Sequence, residues 1–332
     1  MTARVRAVVV TWQGAHLLPR CLDSLLAQDL ADGELEVVVV DNASTDGTAE
    51  LLAERYPGVR TLRLDSNVGF AGGMAAATAD LLGPDADEHP EFVALLNNDA
   101  WFEPHAVRAM VEAADAARRA GERVGAVTAT VLLAEPDDRG RVLVNSTGNV
   151  LTRWGAAADR DFGVPLDDVR PGRDVFGFNG GAALLRTQAL RDAGGFDAGL
   201  FLYYEDTDLS FRMRERGWTV VHEPAAVAHH RHMASTDGGS SPLFRYYNTR
   251  NSLVVLTRHA PWTLVLRSVV RQVAGAVRHT VLRTEDRALV GARWRALRDF
   301  ARAAPGAVLS RRRPSAAAAP RRDVPPRPGP RP

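Results

Sequence analysis

Residues 5–130 alternate short apolar runs with amphipathic stretches at helical spacing, and no other feature constrains the fold as tightly. Apolar runs at Val5–Val10, Glu36–Val40, Val59–Leu64, Phe92–Leu96 and Val124–Thr130 read as strands. Between the first two, Leu17, Leu18, Cys21, Leu22, Leu25 and Leu26 recur at the helical period. Pro104 opens another such stretch with Val107, Met110, Val111 and Ala114. Strand and helix in succession predict βα units stacked around a mostly parallel sheet flanked by helices. At 332 residues and 45% hydrophobic content, the chain can bury one large α/β core or two modest domains and still hold a nucleotide-sized pocket.

In open α/β sheets, ligands bind at the carboxyl ends of the strands. The second strand ends in Asp41-Asn42-Ala43-Ser44-Thr45-Asp46-Gly47-Thr48, where a carboxylate is placed to meet a base or ribose; a capped turn is the plainer reading. The third leads into Ser66-Asn67-Val68-Gly69-Phe70-Ala71-Gly72-Gly73, which either lets backbone and a helix N-terminus approach an anion or packs a helix tightly. The fourth ends in Asn97-Asn98-Asp99. Polar side chains directly after a buried strand are costly unless they meet water or a ligand, and a carboxylate there suits Mg²⁺ or Mn²⁺ bridging two phosphates.

In order and spacing these segments resemble glycosyltransferase family 2, inverting enzymes with the GT-A nucleotide-diphospho-sugar transferase fold. Val8-Val9-Val10-Thr11-Trp12 is similar to the family's first strand, and Asn97-Asn98-Asp99 stands in the place of its Asp-x-Asp metal motif. The resemblance covers residues 5–257 and implies donor contacts from Thr11, Asp41, Asn67, Gly69 and Asn98, with Asp99 on a divalent cation. Downstream, Gly177-Phe178-Asn179-Gly180-Gly181 leads to Tyr203-Tyr204-Glu205-Asp206-Thr207-Asp208, the most specific segment of the chain. By resemblance, Gly180, Gly181 and Glu205 lie on the acceptor side and Asp206 is the base that takes the acceptor hydroxyl's proton. Acids in a helix's first turn also favour its dipole, and Asp208 reads that way. Arg212 and Arg214 fit either these acids or the donor. Of the clustered His222, His229, His230 and His232, the resemblance implies that His230, five residues before Ser235, completes the metal site, with His229 the alternative. Gln13 and Met74-Ala75 depart from the family's common Asn residues and leave the donor contacts open.

Residues 141–173, with interspersed Gly, Pro and Asp, read as a variable loop or hairpin and a poor place to seek catalysis. The expected organisation is a catalytic domain over 1–240, with a nucleotide-binding half near 1–130 and an acceptor-side half near 174–240. A helical basic extension over 241–305 and a disordered Arg/Pro/Ala tail over 306–332 follow. Residues 258–332 carry 17 arginines against four acids, a balance of +13, which leaves −12 on residues 1–257 of a chain whose net charge is +1. Within this segment Leu266, Val270, Val273 and Val277 form a stripe beside Arg267, Arg271 and Arg278. That pattern suits a helix on an anionic membrane surface as well as one packed on the catalytic domain. Only Trp262, Trp294 and Phe300 accompany the 17 arginines, so nucleic acid is not an expected partner. The single Cys21 sits in an apolar helical pattern and reads as packing, which favours a reducing compartment. The opening apolar run is a strand, not a signal peptide, so a cytoplasmic enzyme is expected, peripheral on the plasma membrane's inner face at most.

The reading as a whole is an inverting transfer from a nucleotide-diphosphate sugar to a glycan or polyprenyl-linked acceptor. The likeness to bacterial rhamnosyltransferases of cell-wall and surface-polysaccharide assembly makes dTDP-rhamnose the first donor and a UDP-sugar such as UDP-galactofuranose the second. A nucleotide-sugar-binding scaffold without turnover would not need Asp206. A dinucleotide enzyme would need Gly-x-Gly-x-x-Gly where Thr11-Trp12-Gln13-Gly14 stands.

Overall fold

The computed structural model describes residues 3–83, 89–170, 172–231 and 241–311. In chain order the catalytic part runs β1 (Val5–Thr11), α1 (Leu18–Leu26), β2 (Leu35–Asp41), α2 (Thr48–Arg55), β3 (Arg60–Arg63), α3 (Gly69–Ala77), β4 (Phe92–Leu96), β5 (Ala100–Phe102), α4 (Ala106–Arg119) and β6 (Val124–Leu133). It continues through β7 (Val144–Ser146), β8 (Asn149–Leu151), β9 (Ala157–Asp159), β10 (Asp174–Val175), β11 (Ala182–Arg186), α5 (Thr187–Ala193), α6 (Glu205–Glu215) and β12 (Thr219–His230). Helices α7 (Pro242–His259), α8 (Trp262–Leu282) and α9 (Arg287–Leu309) follow.

The apolar patterning does what its period dictates. Helix α1 buries Leu18, Cys21, Leu22 and Leu25 on one face, and α4 buries Val107, Met110, Val111 and Ala114. Both faces of the sheet are covered, so β1 is buried along its whole length. Cys21 is buried in this core, with Sγ 3.4 Å from the Asn97 carbonyl oxygen, and its thiol is pushed up by burial. Helix α4 starts at Ala106, two residues after the expected Pro104, because Gln28 Oε1 accepts from the Val107 amide at 2.9 Å and sets its first turn.

Along the main path the sheet order is β10-β12-β6-β11-β4-β1-β2-β3. The pairs β1/β2, β1/β4, β2/β3 and β6/β12 are parallel, while β11 lies antiparallel between β4 and β6. The chain leaves β3 and returns as β4 on the other side of β1, so the strand order reverses there, the place where such sheets hold ligands. Two elements run further than their apolar residues suggest. Strand β12 continues past Val221 to His230 through an irregularity between Glu223 and Val227, and it pairs with β5 in a register that sets His230 opposite Ala100. Helix α9 passes through Pro305 to Leu309, into the expected tail; residues 312–332 lie outside the described residues.

The C-terminal helices pack directly on the catalytic part. Asn251 Nδ2 of α7 lies 2.8–2.9 Å from the carbonyl oxygens of Leu200, Leu202 and Tyr203, and so holds the loop that leads into α6. Buried Asp208 of α6 meets Arg258 Nη1 at 3.2 Å and His259 Nε2 at 3.1 Å, both from α7.

Candidate active site

At the point where the strand order reverses, the ends of β1 and β4 are bridged by a buried 3.0 Å hydrogen bond from Asn98 Nδ2 to Thr11 Oγ1. Gly14 closes over this pair: a Cβ there would stand 2.3 Å from Thr11 Oγ1, so only glycine allows the approach. Asp41 is fully buried at the end of β2. Its Oδ1 accepts from the Ser44 amide at 2.8 Å, while Oδ2 has no hydrogen-bond partner among the described residues and lies 3.8 Å from Arg63 Nη1. The turn reading and the ligand reading of this segment therefore divide between the two oxygens. Asn67 Oδ1 accepts from the Gly69 amide at 2.8 Å and opens α3, and Asn42 Nδ2 donates to the Gly69 carbonyl at 3.1 Å. Gly69 has φ +75°, and a Cβ there would lie 2.2 Å from the Phe201 carbonyl oxygen. Gly73 instead serves packing, since its Cβ would meet Val10 at 2.6 Å.

Asp99 and His230 come together although 131 residues separate them. His230 Nε2 lies 3.1 Å from Asp99 Oδ1, and His230 Nδ1 is 2.6 Å from Asn145 Oδ1. His229, on the opposite face of the strand, bonds Glu103 at 2.7 Å and stacks on Trp101. His222 is buried in the core beside Thr130 Oγ1, and burial pushes its imidazole down to about 4. His232 and Ser235 lie outside the described residues. A carboxylate and an imidazole suit a divalent cation, and an imidazole whose second nitrogen is held by an amide oxygen has its tautomer and ring angle set for such a ligand. Among the described residues, no group of three or more His, Cys, Asp and Glu could hold a metal ion.

Asp206 sits in the first turn of α6, partly exposed. Its Oδ2 accepts from Asn149 Nδ2 at 2.7 Å and the Gly180 amide at 3.1 Å; its Oδ1 accepts from the Thr207 amide at 2.5 Å. Burial raises this carboxyl above the ordinary carboxylate range, against the downward pull of those hydrogen bonds. Glu205 is buried, its Oε2 without a hydrogen-bond partner among the described residues. Burial first, then the negative charge of Asp206, pushes it up to about 8. The Gly181 amide donates to Asn179 Oδ1 at 2.8 Å, and the Gly181 carbonyl accepts from the Asn97 amide at 3.0 Å. Gly180 and Gly181 thus tie the Asp206 pocket to the end of β4.

Residues 141–173 correct the expectation that this region is a poor place for chemistry. Asn145, Asn149 and Asp159 all enter the site from its strands. Asp159 Oδ1 accepts from Asn179 Nδ2 at 2.8 Å, and burial raises the Asp159 carboxyl, helped by the nearby negative Asp206. The signal available beforehand was Asn145-Ser146-Thr147-Gly148-Asn149, polar residues crowded around a glycine. Asp208 is also more than a first-turn acid. It is buried and accepts from Arg212 Nε at 2.7 Å, and His259, Arg212 and Arg258 hold it below the usual carboxylate range despite burial. Arg214 donates to the Val175 and Phe176 carbonyls, so among the described residues both arginines meet protein groups.

Comparison with known proteins accords with this architecture. Glycosyl transferase family 2 matches residues 7–142, and Glycosyl transferase family group 2 matches residues 91–275. The chain belongs to the family 2 glycosyltransferases, with the GT-A fold expected of them. A curated relative from Mycobacterium tuberculosis, N-acetylglucosaminyl-diphospho-decaprenol L-rhamnosyltransferase, is 27% identical over 280 residues, 79% of this chain and 87% of the relative. Among solved structures, GalNAc-T7 with UDP, GalNAc and Mn²⁺ has a TM-score of 0.57 at 13% identity, covering 78% of this chain and 48% of that one. The mannosyltransferase PcManGT from Pyrobaculum calidifontis, in complex with GDP-Man and Mn²⁺, has a TM-score of 0.50 at 19% identity, covering 93% of this chain and 88% of that one.

Proposed function

We propose that this protein is an inverting, metal-dependent hexosyltransferase that moves L-rhamnose from dTDP-rhamnose to a polyprenyl-linked or other glycan acceptor in cell-wall or surface-polysaccharide synthesis. The observation that carries the reading is the constellation at the sheet's reversal point. The Thr11–Asn98 bridge and the half-satisfied Asp41 lie at the strand ends, Asp99 stands beside His230, and Asp206 is held on the other wall by Asn149 and Gly180. The name of the mycobacterial relative and the family resemblance support the choice of a rhamnosyl donor and a lipid-linked acceptor.

Each residue then has a task. Asp41 Oδ2, lacking a hydrogen-bond donor, accepts from the nucleobase or ribose. Gly69 lets the start of α3 pack against the Phe201 carbonyl in the loop before α6, and with Asn67 it shapes the donor side of the site. Asp99 and His230 would hold a Mg²⁺ or Mn²⁺ ion, whose charge makes the departing nucleoside diphosphate a better leaving group. Asp206 takes the proton of the acceptor hydroxyl while that oxygen attacks the anomeric carbon from the face opposite the diphosphate. Its raised pKa keeps it basic enough to do so, and Asn149 and Gly180 aim it. Lipid-linked acceptors place the enzyme at a membrane surface, peripherally on its cytoplasmic face.

The test is product formation from dTDP-rhamnose and a polyprenyl-diphosphate-linked amino sugar with Mn²⁺, compared between wild type and Asp206→Asn. The expected result is transfer by the wild type and a loss of about a thousandfold in the variant with donor binding kept. Near-native turnover by the variant would remove Asp206 from the mechanism. Turnover with a UDP-sugar in place of dTDP-rhamnose would correct the donor.

A further inference from the structure

A stripe of exposed apolar residues runs from one end of α8 to the other. Trp262, Leu266, Val270, Val273, Val277 and Val281 are 39–70% exposed. At 100° per residue they fall within an arc of about 100°, on a helix about 30 Å long. Leu264, Val265, Ser268 and Ala276, on the opposite side, are buried against the neighbouring helices. Packing on the protein therefore accounts for one face and leaves the stripe. Exposed apolar residues so aligned mark a contact surface.

Charge decides what covers it. Arg267, Arg271 and Arg278 are exposed along one edge of the stripe, and α8 contains no acidic residue. A second copy of the helix would bring these arginines against their own kind, whereas anionic lipid headgroups satisfy them while the acyl region takes the stripe. No helix among the described residues is long and apolar enough to cross a membrane, so the helix would lie in the interface plane. Trp262 sits at its leading end, a residue type favoured at headgroup depth.

We propose that α8 docks the protein on an anionic phospholipid bilayer, stripe inward and arginines to the headgroups. The docking does not rest on the proposed function.

The test is sedimentation of the full-length protein with vesicles of phosphatidylcholine alone or mixed with phosphatidylglycerol. The expected result is binding at least about tenfold stronger to the anionic vesicles, weakened by salt. A variant with Leu266→Asp, Val270→Asp and Val277→Asp, its thermal transition unchanged because the sites are exposed, should lose about tenfold or more of that binding. A second variant, Arg267→Gln with Arg271→Gln and Arg278→Gln, should lose the preference for anionic lipid. No binding by the wild type would overturn the proposal. Unchanged binding by the apolar-stripe variant would also overturn it and assign binding to other basic segments. A wild-type dimer that ignores vesicles and is abolished in that variant would give the stripe to a second copy. No nucleotide enters the assay, so its failure and that of the transferase reading are separately visible.

Discussion

In the proposed function, Asp206 must be two things at once, a base strong enough to accept a proton and a carboxylate held in one orientation. Burial supplies the first and Asn149 with Gly180 the second, but each hydrogen bond to the carboxylate also lowers its basicity. Removing the Asn149 bond should therefore raise the Asp206 pKa further. Because the base must be ionised to act, the acidic limb of the pH–rate profile of Asn149→Ala should move to higher pH, and its plateau should fall about tenfold as aim is lost. A profile unmoved from wild type would show that the contact does not matter to the base. Glu205 gives a sign-definite prediction of another kind. Its folded-state pKa, about 8, lies above its ordinary value of 4.5, so its contribution to stability is complete below the ordinary value and lost as pH rises toward 8. Glu205→Gln removes that dependence. Relative to wild type it should gain melting temperature at pH 8 compared with pH 5; an equal difference at both pH values would contradict the burial argument.

At the scale of elements, the site depends on close backbone approaches that side chains would block. The start of α3 lies so near the loop before α6 that Gly69→Ala would face both a left-handed φ and a Cβ 2.2 Å from the Phe201 carbonyl. The expected loss is about 2 kcal/mol or more in denaturant titration, with weaker nucleotide binding, since the same turn shapes the proposed donor side of the site. Wild-type stability would mean that the loop yields freely. The βα units were legible because the apolar period fixes the element type, and the polar residues after β1, β2 and β4 were legible because ligands gather there. A loop or hairpin over residues 141–173 was legible, but its strands β7 to β9 and their part in the site were not. They are short, and β9 (Ala-Ala-Asp) and the residues around Gly148 have no sustained alternation, so only their contacts with Asp206 and His230 reveal Asn149 and Asn145. The extension of β12 to His230 was likewise hidden by the Pro224 irregularity. His230 was chosen over His229 by spacing, and strand alternation is what turns its side chain to Asp99.

In the whole molecule, the strand ends at the reversal form one wall of the candidate site, with Asp41, Asn98 and Asp99, and the β8–β9 hairpin with α6 forms a second wall, with Asn149 and Asp206. Helix α7 braces that second wall through Asn251 and the buried Asp208 cluster, and presents α8 at the surface. In the proposed function, donor and acceptor contacts come from different walls, and variants on each should fail differently. The most direct measurement is calorimetric titration of wild type, Asp99→Ala and Asp206→Asn with dTDP, UDP and GDP, each with and without Mn²⁺. The account predicts Mn²⁺-dependent binding of dTDP to wild type, similar affinity in Asp206→Asn, and a loss of about tenfold or more in Asp99→Ala. Equal binding with and without Mn²⁺, unaffected by Asp99→Ala, or no binding of any nucleotide, would contradict it.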